Sequence, residues 1–267
     1  MFRISELYVY PIKSLGGISL QQATLSETGF TYDRNWMLVD VEGSCVTQRE
    51  YNQLACFKLA FVEGGIQVNY RDEHLVISTA ETTSEFMTCT IWEDTLMARK
   101  EPNHVSDWFS KHLGNPVFLV SMAPNNARYV KRHAPHTVHF PDSAPFLVLG
   151  EASLHHLNEK LDQEVSMDRF RPNIVFKGGA AHDEDTWHQF RIGSSHFEST
   201  KLCARCTMTT IDQKTGDKGE EPLLTLSKYR NIDRKIMFGH YFTSHTKKDA
   251  AIAVGDSIEV IAYRAVR

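Results

Sequence analysis

The chain has 267 residues and a formal net charge of −4, from 29 Lys and Arg against 33 Asp and Glu. A hydrophobic content of 42% with 23% charged residues is typical of a globular protein and excludes long disorder or a fibrous repeat. The small negative charge lacks the basic footprint of a duplex-binding protein, so nucleic-acid binding is disfavoured. The five cysteines are thinly spread, unlike those of secreted disulfide-rich domains, and indicate reduced thiols.

The N-terminal segment is hydrophobic but is interrupted by Ser5 and Glu6, and no small-residue cleavage site follows it. It fits neither a signal peptide nor a membrane-spanning helix. We therefore expect a cytoplasmic location and no membrane partner.

The first part of the chain is predicted to be mostly strands, because short apolar and β-branched stretches alternate with turn residues. The predicted strands are residues 3–10, 18–25, 36–41, 66–70, 74–79, 86–92 and 96–100. Asn103 then predicts the N-cap of a helix that ends at Gly114 and whose apolar face carries Val105, Trp108, Phe109 and Leu113. This helix closes a β-rich first half.

Residues 128–136 are basic, contain Pro135 and have no clear period, so we expect a loop that joins the two halves. Beyond it the pattern predicts a helix over 151–161 and strands at 146–149, 174–176, 207–211 and 258–261. No internal repeat is present. The sequence thus predicts a mainly β, barrel-like protein with a few short helices.

The sharpest local feature is the pair Cys203 and Cys206, which flanks Arg205. Its spacing leaves several interpretations open. A structural zinc site needs four ligands, and no second cysteine pair or suitably spaced histidine pair accompanies it. A thioredoxin-like redox pair precedes a helix, whereas Cys206 precedes a run that is predicted as a strand. Two half-buried structural thiols are the plainest explanation of the spacing alone.

Several cationic side chains stand at predicted strand ends. Lys13 and Ser14 follow the first strand, where an ammonium and a hydroxyl could meet an anion, and Arg34 and Arg171 lie beside other strands. Singly, such residues are usually solvated surface groups. A guanidinium nevertheless matches phosphate oxygens, and a thiolate is a soft ligand for a soft or high-valent metal. An anionic, metal-bearing cofactor would use both.

Other motifs give less support to function. His133, His136 and His139 have the spacing of a helix face, but Pro135 opposes a helix, so a solvated loop is favoured over a metal site. The polar residues 182–188 are explained by a turn that leads into a strand. No GxGxxG, Walker or GxSxG motif is present, and the cysteine spacing matches no ferredoxin pattern, so nucleotide binding, serine hydrolysis and an iron–sulfur site lose support.

A series of segments in a fixed order covers nearly the whole chain. They are Tyr10-Pro11-Ile12-Lys13-Ser14, Asp33-Arg34-x-Trp36, Pro145-Phe146-Leu147-x-Leu149-x-Glu151-Ala152-Ser153-Leu154, Phe170-Arg171-Pro172-Asn173-Ile174, Cys203-x-Arg205-Cys206, Asp212-x-x-Thr215-Gly216, Glu221-Pro222-Leu223 and Phe238-Gly239-x-Tyr241-Phe242. Together they resemble the MOSC (molybdenum cofactor sulfurase C-terminal) family, in the subgroup that includes the mitochondrial amidoxime reducing component and its bacterial relatives. The resemblance implies an N-terminal β-barrel domain over 1–120 and a MOSC β-barrel domain over 121–267.

The resemblance also implies a molybdenum cofactor bound between the two halves. Cys206 would be the protein ligand to molybdenum, and Cys203 would be only a neighbour. The residues implied to hold the pterin and its phosphate, or to lie close to them, are Lys13, Ser14, Arg34, Ser143, Ala144, Arg171, Asn173 and Ala204. The family further carries an association with pyridoxal phosphate binding.

Proteins of this subgroup look like reductases of N-hydroxylated compounds, which convert N–OH to N–H with two electrons and two protons and release water. The resemblance makes Asp142, next to Ser143, a candidate proton donor. Amidoximes, hydroxylamines and N-hydroxylated nucleobases all present the reacting group. Some bacterial relatives carry a C-terminal iron–sulfur domain, whereas no cysteine follows Cys206. We therefore expect electrons from a separate donor, such as a ferredoxin, a flavodoxin or a flavin reductase.

Two interpretations from other classes stay open. A binding protein that carries the molybdenum cofactor or a persulfide sulfur on Cys206, without turnover, would have the same motifs. A thiol redox protein that uses Cys203 and Cys206 predicts a reversible disulfide and no metal.

Overall fold

The fold was analysed in a computed structural model, which describes residues 1–124, 126, 128–131, 133, 135–245 and 249–264. The described residues form 21 strands and three α-helices, which confirms the predicted mainly β class. The strands are β1 (Phe2–Val9), β2 (Ile18–Leu20), β3 (Gln22–Ser26), β4 (Gly29–Phe30), β5 (Trp36–Val39), β6 (Lys58–Val62), β7 (Gly65–Tyr70), β8 (Glu73–Ser78), β9 (Phe86–Ile91), β10 (Asp94–Lys100), β11 (Phe118–Met122), β12 (Arg128–Tyr129), β13 (Thr137–Val138), β14 (Phe146–Gly150), β15 (Ile174–Lys177), β16 (Trp187–Ile192), β17 (Ser195–Ala204), β18 (Asn231–Ile232), β19 (Lys235–Ser244), β20 (Ala251–Ala253) and β21 (Ser257–Tyr263).

The helices are α1 (Asn103–Leu113), α2 (Glu151–Asn158) and α3 (Leu223–Tyr229), with short 3-10 helices at Asn52–Cys56, Met167–Arg169, Asp183–Asp185 and Thr207–Thr210. Among the described residues, no helix is both long and apolar enough to cross a bilayer.

Seven strands close a barrel in the order β14, β15, β1, β21, β16, β17 and β19, and β19 pairs back with β14. All neighbouring pairs are antiparallel except β14 with β15. Side chains that alternate along the strands point inward and fill the barrel. They include Val148, Ile174, Phe190, Phe197 and Phe242, which are almost completely buried.

The N-terminal half is a second β structure, built from the sheet β5-β11-β10-β9 and the sheet β6-β7-β8. Helix α1 packs Val105, Phe109 and Leu113 into the core of this half, as its period predicts. Gly114 ends the helix in the left-handed conformation with φ 72°, which is also confirmed. The predicted N-cap is wrong by one residue: Pro102 has extended backbone angles and starts the helix, so Asn103 is already helical.

Strand β1 links the two halves. It lies in the barrel between β15 and β21, and the chain then crosses to the N-terminal half, where Ile12 forms a bridge with Trp36. The turn that carries Lys13 and Ser14 therefore lies where the halves meet. The domain boundary at residue 120 stays a prediction. Strand β1 precedes it in the sequence, but it pairs with β15 and β21, which follow it.

Several predicted elements differ from the structure. Residues 18–25 form two strands rather than one, because β2 pairs with β1 whereas β3 pairs with β20 and β4. The helix predicted over 151–161 ends at Asn158. The stretch 128–136 is partly a hairpin, since β12 pairs with β13; within it, Arg132 and Ala134 lie outside the described residues.

The strand predicted at 207–211 is wrong, and this error bears on the cysteine pair. Thr207–Thr210 is a 3-10 helix. The hydroxyl of Thr209 donates to the Cys206 carbonyl at 3.1 Å, and that of Thr210 donates to the Thr207 carbonyl at 2.8 Å. Such local side-chain bonds stabilise a turn against the strand preference of threonine.

Candidate functional site

A cleft lies between the barrel and the N-terminal half, and it encloses about 760 Å³ of empty space, its open side included. Six cationic side chains and one carboxyl group, that of Asp142, are among its described lining residues. The cations are Lys13, Arg34, Arg49, Arg169, Arg171 and Arg205. In a protein with a net charge of −4, this concentration of positive charge favours an anionic ligand.

The cleft brings together residues that were predicted from distant parts of the sequence. Those that line it are Lys13, Ser14, Arg34, Asp142, Ala144, Arg171, Asn173, Ala204 and Cys206. Ser143 is not among the lining residues, although it stands half-buried between Asp142 and Ala144. The functional roles that the sequence suggested for these residues stay predictions, whereas their convergence is a feature of the structure.

Lys13 is held firmly at the base of the cleft. Its backbone N–H donates to the Trp36 carbonyl at 2.8 Å, and its ammonium donates to the Phe140 carbonyl at 3.2 Å and pairs with Asp142. The lysine side chain is only 7% exposed, so it is not a solvated surface group. Ser14 follows with φ 68°, a left-handed conformation that the surrounding structure must stabilise.

Two arginines contact the ring of one tyrosine. The guanidinium carbons of Arg34 and Arg171 each lie 4.3 Å from the ring centroid of Tyr10, whose hydroxyl donates to the Pro172 carbonyl at 3.1 Å. Arg34 donates to Asn173 Oδ1 at 3.0 Å. These contacts hold two positive charges at one ring. Sequence reasoning missed Tyr10 as a site residue, although it begins the first motif.

The charges of the two arginines are differently balanced. Burial disfavours the charged form of Arg34, but the Asp33 carboxylate at 2.5 Å outweighs burial and raises the pKa of this guanidinium. Burial lowers the pKa of Arg171 to about 10, and the repulsion by Arg34 acts in the same direction. A bound anion would relieve this repulsion, so the pair is suited to a phosphate.

The two cysteines of the pair have different environments. Cys203 lies at the end of β17 and is 2% exposed, and burial raises the pKa of its thiol. Cys206 follows the strand and is exposed at the cleft. The interpretation as two half-buried thiols is therefore wrong for both. A redox pair was disfavoured because Cys206 was predicted to precede a strand. That argument no longer holds, because the 3-10 helix Thr207–Thr210 follows Cys206 instead.

Arg205 fixes the loop between the two cysteines. Its Nε donates to the Phe238 carbonyl at 2.7 Å and its Nη1 donates to the Phe170 carbonyl at 2.8 Å. Its Nη2 is buried and has no hydrogen-bond partner. A buried donor without a partner is costly, so an anionic ligand in the cleft that Arg205 lines would complete its hydrogen bonding.

Asp142 is ionised in this setting. Burial would raise its pKa, but the Lys13 ammonium, with Arg34 and Arg171, lowers the pKa to about 2. At neutral pH the residue is therefore a carboxylate that can accept a proton but carries none to donate. The predicted role as proton donor stays a prediction, and this pKa counts against it.

The donor set fits an anionic cofactor that brings a soft or high-valent metal. In the part of the chain that the structure describes, no group of three or more His, Cys, Asp or Glu side chains is placed to hold a metal ion. Cys206 could therefore supply one thiolate, and the other ligands would have to come from the cofactor itself. The six cations and the unpartnered Nη2 of Arg205 suit its phosphate.

Comparison with known proteins agrees with this fold. Residues 1–116 match the MOSC N-terminal beta barrel domain and residues 135–259 match the MOSC domain. The chain thus belongs to the MOSC family, in the group that has both domains, and the resemblance predicted from the motifs is confirmed. These two matches place the cleft residues in a molybdenum-cofactor-associated family.

Individual relatives define the group within the family more narrowly. The chain is 31% identical over 280 aligned positions to mitochondrial amidoxime-reducing component 1 of Mus musculus, covering 97% of this chain and 82% of the relative. It is also 31% identical to mitochondrial amidoxime reducing component 2 of Bos taurus, covering 96% and 82%. The molybdenum cofactor sulfurase of Arabidopsis thaliana is 29% identical, covering 96% of this chain but only 35% of that protein.

Proposed function

We propose that this protein is a molybdenum-cofactor-dependent reductase that converts N–OH groups to N–H. The observation that carries the proposal is the exposed Cys206 thiol at a cleft that six cationic side chains line. The names of the mouse and bovine relatives, amidoxime-reducing components, support this reaction class.

The residues of the cleft have separate tasks in this proposal. Lys13, Ser14, Arg34 and Arg171 hold the phosphate, because buried cations and hydroxyls replace the water that a multiply charged anion loses. Asn173, Ala144 and Ala204, with Ser143 beside them, lie along the cofactor. Cys206 provides the thiolate ligand to the metal. The family-level association with pyridoxal phosphate stays a prediction.

When bound, the cofactor supplies the two electrons that reduce N–OH to N–H with release of water. The protein would position the N–OH group of the substrate at the open side of the cleft, where Cys206 is exposed. The Lys13–Asp142 pair keeps the carboxylate ionised, so the protons would enter from solvent unless a ligand displaces this pair. A separate donor, a ferredoxin, a flavodoxin or a flavin reductase, would deliver the electrons, and we place the reaction in the cytoplasm.

The first experiment is the metal and pterin content of protein from a host that makes the cofactor. We expect about one molybdenum per chain by mass spectrometry in the wild type and in Cys203→Ala, and loss of molybdenum in Cys206→Ala. The loaded wild type should then reduce an amidoxime with electrons from a reduced viologen. Folded wild type that contains neither molybdenum nor pterin would overturn the proposal.

A second candidate is a carrier of the cofactor or of a persulfide sulfur, which the exposure of Cys206 also favours. The sulfurase name of the Arabidopsis relative is in keeping with it. Loaded protein that reduces no N–OH compound, but transfers cofactor or sulfur to an acceptor protein, would establish the carrier. A thiol redox protein is distinguished by its dependence on Cys203, whose burial hinders attack by a second thiol.

A further inference from the structure

An indole stands at the edge of the cleft in an unusual backbone conformation. Trp92 occupies the two-residue turn between β9 and β10 and lines the cleft with its side chain 49% exposed. Its φ is 56°, in the left-handed region that favours glycine and is rare for a bulky residue. The rest of the fold must therefore stabilise a tryptophan at this position.

Two ion pairs hold this turn in place. Glu93 pairs with Lys131 at 2.5 Å, and Asp94 pairs with Arg128 at 2.7 Å. Arg128 also donates to the Pro141 carbonyl at 3.0 Å, immediately before Asp142. The turn is thus connected through Arg128 to the loop that forms one side of the cleft.

The indole is also paired with cations. The guanidinium carbon of Arg49 lies 4.5 Å from the ring centroid of Trp92, within the range of a cation–π contact. The Lys13 ammonium lies farther away, at 5.7 Å. Arg49 covers part of the ring, and the 49% exposure of Trp92 leaves the remainder open as a flat aromatic surface.

We propose that Trp92 is a specificity-determining residue, which selects N-hydroxylated substrates that carry a flat aromatic or heteroaromatic ring by stacking that ring on its indole. The inference rests on the proposed reductase function and names the substrate class for the same cleft. Stacking a substrate ring on Trp92 costs little conformational entropy, because the turn that carries this side chain is already ordered.

The exposure of Trp92 favours a substrate over the pterin as the stacked ring. Three of the residues suited to holding the cofactor are buried: Lys13 is 6%, Ser14 is 3% and Asn173 is 1% exposed. The indole of Trp92 instead remains half exposed to solvent. Such exposure suits a surface whose ligand binds and leaves in each turnover. Cys206, the thiol that would hold the metal beside the reacting group, is likewise exposed.

The test compares an aryl amidoxime with an alkyl one. Molybdenum-loaded wild type, Trp92→Leu and Trp92→Phe are assayed with benzamidoxime and acetamidoxime. We expect Trp92→Leu to lower kcat/KM for benzamidoxime about tenfold, which corresponds to about 1.4 kcal/mol, through a higher KM. Acetamidoxime should change less than about twofold, and Trp92→Phe should retain most of the preference.

A matched control is Phe86→Leu. Phe86 is 47% exposed and also lies near an arginine, with Arg99 at 5.9 Å, but it is not among the residues that line the cleft. This variant should leave kcat/KM unchanged for both amidoximes. Molybdenum and pterin content and the melting temperature are measured for every variant, which separates stacking from loading and from folding.

Several outcomes would overturn the inference. One is an equal effect of Trp92→Leu on both amidoximes, and another is a fall in its pterin content, which would assign the indole to the cofactor. If the loaded wild type reduces neither compound, the proposed function fails instead. The stacking is then decided by calorimetric titration with benzamidine, since equal affinities of wild type and Trp92→Leu would exclude it.

Discussion

The Lys13 ammonium and the Asp142 carboxylate form an ion pair across the cleft, which joins the turn after β1 to the loop before β14. The pair neutralises one cation and one acid in a cleft that otherwise carries excess positive charge. An anionic ligand that binds Lys13 would compete with Asp142 for it.

This pair makes the stability of the protein depend on pH at the acid end. The pKa of Asp142 is lowered from 3.8 to about 2 in the fold, so its stabilising contribution is present above about pH 4 and is lost as the pH falls to about 2. Asp142→Asn should be less stable than wild type at pH 6, and the difference should vanish near pH 2. Because this side chain is 46% exposed, we expect a difference below about 1 kcal/mol in urea unfolding. A difference that stays constant down to pH 2 would contradict this account.

The same variant tests the acid role of Asp142. Removal of a true general acid lowers kcat by about 100-fold to 10,000-fold, whereas a structural partner of Lys13 has a smaller effect. We expect turnover per bound molybdenum in Asp142→Asn to fall less than about tenfold. A loss of 100-fold or more, with molybdenum content unchanged, would restore Asp142 as the proton donor.

Loss of the Tyr10 ring should lower both the stability of the fold and the retention of the cofactor, because the ring contacts both Arg34 and Arg171. Tyr10→Phe removes only the bond to the Pro172 carbonyl and should cost about 1 kcal/mol of unfolding free energy. Tyr10→Leu also removes the ring, and should cost about 2 to 4 kcal/mol and reduce the bound pterin. Thermal unfolding and pterin content measure the two effects. Equal pterin content in both variants would show that the ring does not organise the arginines.

Arg205 should be irreplaceable by lysine, because one ammonium cannot reproduce a planar fork that reaches the carbonyls of Phe238 and Phe170. We expect Arg205→Lys to lower the unfolding free energy by about 2 kcal/mol, since a buried carbonyl loses its donor, and to reduce molybdenum content by displacing Cys206. Arg191→Lys is the control, because its pair with Glu259 is exposed and should matter by less than about 1 kcal/mol. Full loading of Arg205→Lys would disprove the positioning role.

Glu184 offers a test away from the cleft. It is 0% exposed, accepts bonds from the Ser153 hydroxyl at 2.8 and 3.0 Å, and its pKa is raised from 4.5 to about 7, chiefly by burial. The fold prefers the protonated form, so the contribution of Glu184 to stability is most favourable below about pH 4.5 and becomes less favourable as the pH rises to about 7.

Glu184→Gln removes this titration, because its side chain is uncharged at every pH. The variant should be more stable than wild type by about 1 to 3 kcal/mol at pH 8, and the advantage should disappear at pH 4.5. Guanidinium unfolding at the two pH values measures it. An advantage of the same size at both would mean that charge burial is not the cause.

The local pattern of the sequence was sufficient for about half of the strands, because period-two alternation depends on neighbouring residues only, but it gave no bounds for β16, β17 and β19 of the barrel. Strands β7 and β8 were predicted within one residue of their bounds. Closure of the barrel could not be predicted in this way, since it depends on pairs such as Ile4 with Phe176. The run at 207–211 failed because the hydroxyls of Thr209 and Thr210 bond to nearby carbonyls, a competition that strand propensity ignores.

The candidate site was predicted through the motifs rather than through spacing. Lys13, Arg34, Arg171 and Cys206 belong to motifs that resemble a known family, and all four line the cleft. Trp92 does not stand out in this way, because an aromatic residue at the end of an alternating run is predicted as the last residue of a strand. Its placement at the cleft depends on the turn and on ion pairs with residues far along the chain.

The position of β1 has a consequence for how the polypeptide matures. Its fully buried residues Ile4 and Leu7 are translated early, but Phe2 pairs with Ile258 in β21, so this side of the barrel stays open until nearly all of the chain has left the ribosome. β2 and β15 can pair with β1 earlier, but the part of its edge that pairs with β21 must wait, and open strand edges aggregate readily. Production of this protein should therefore respond to chaperone supply and to slower translation at low temperature more than its final stability would suggest.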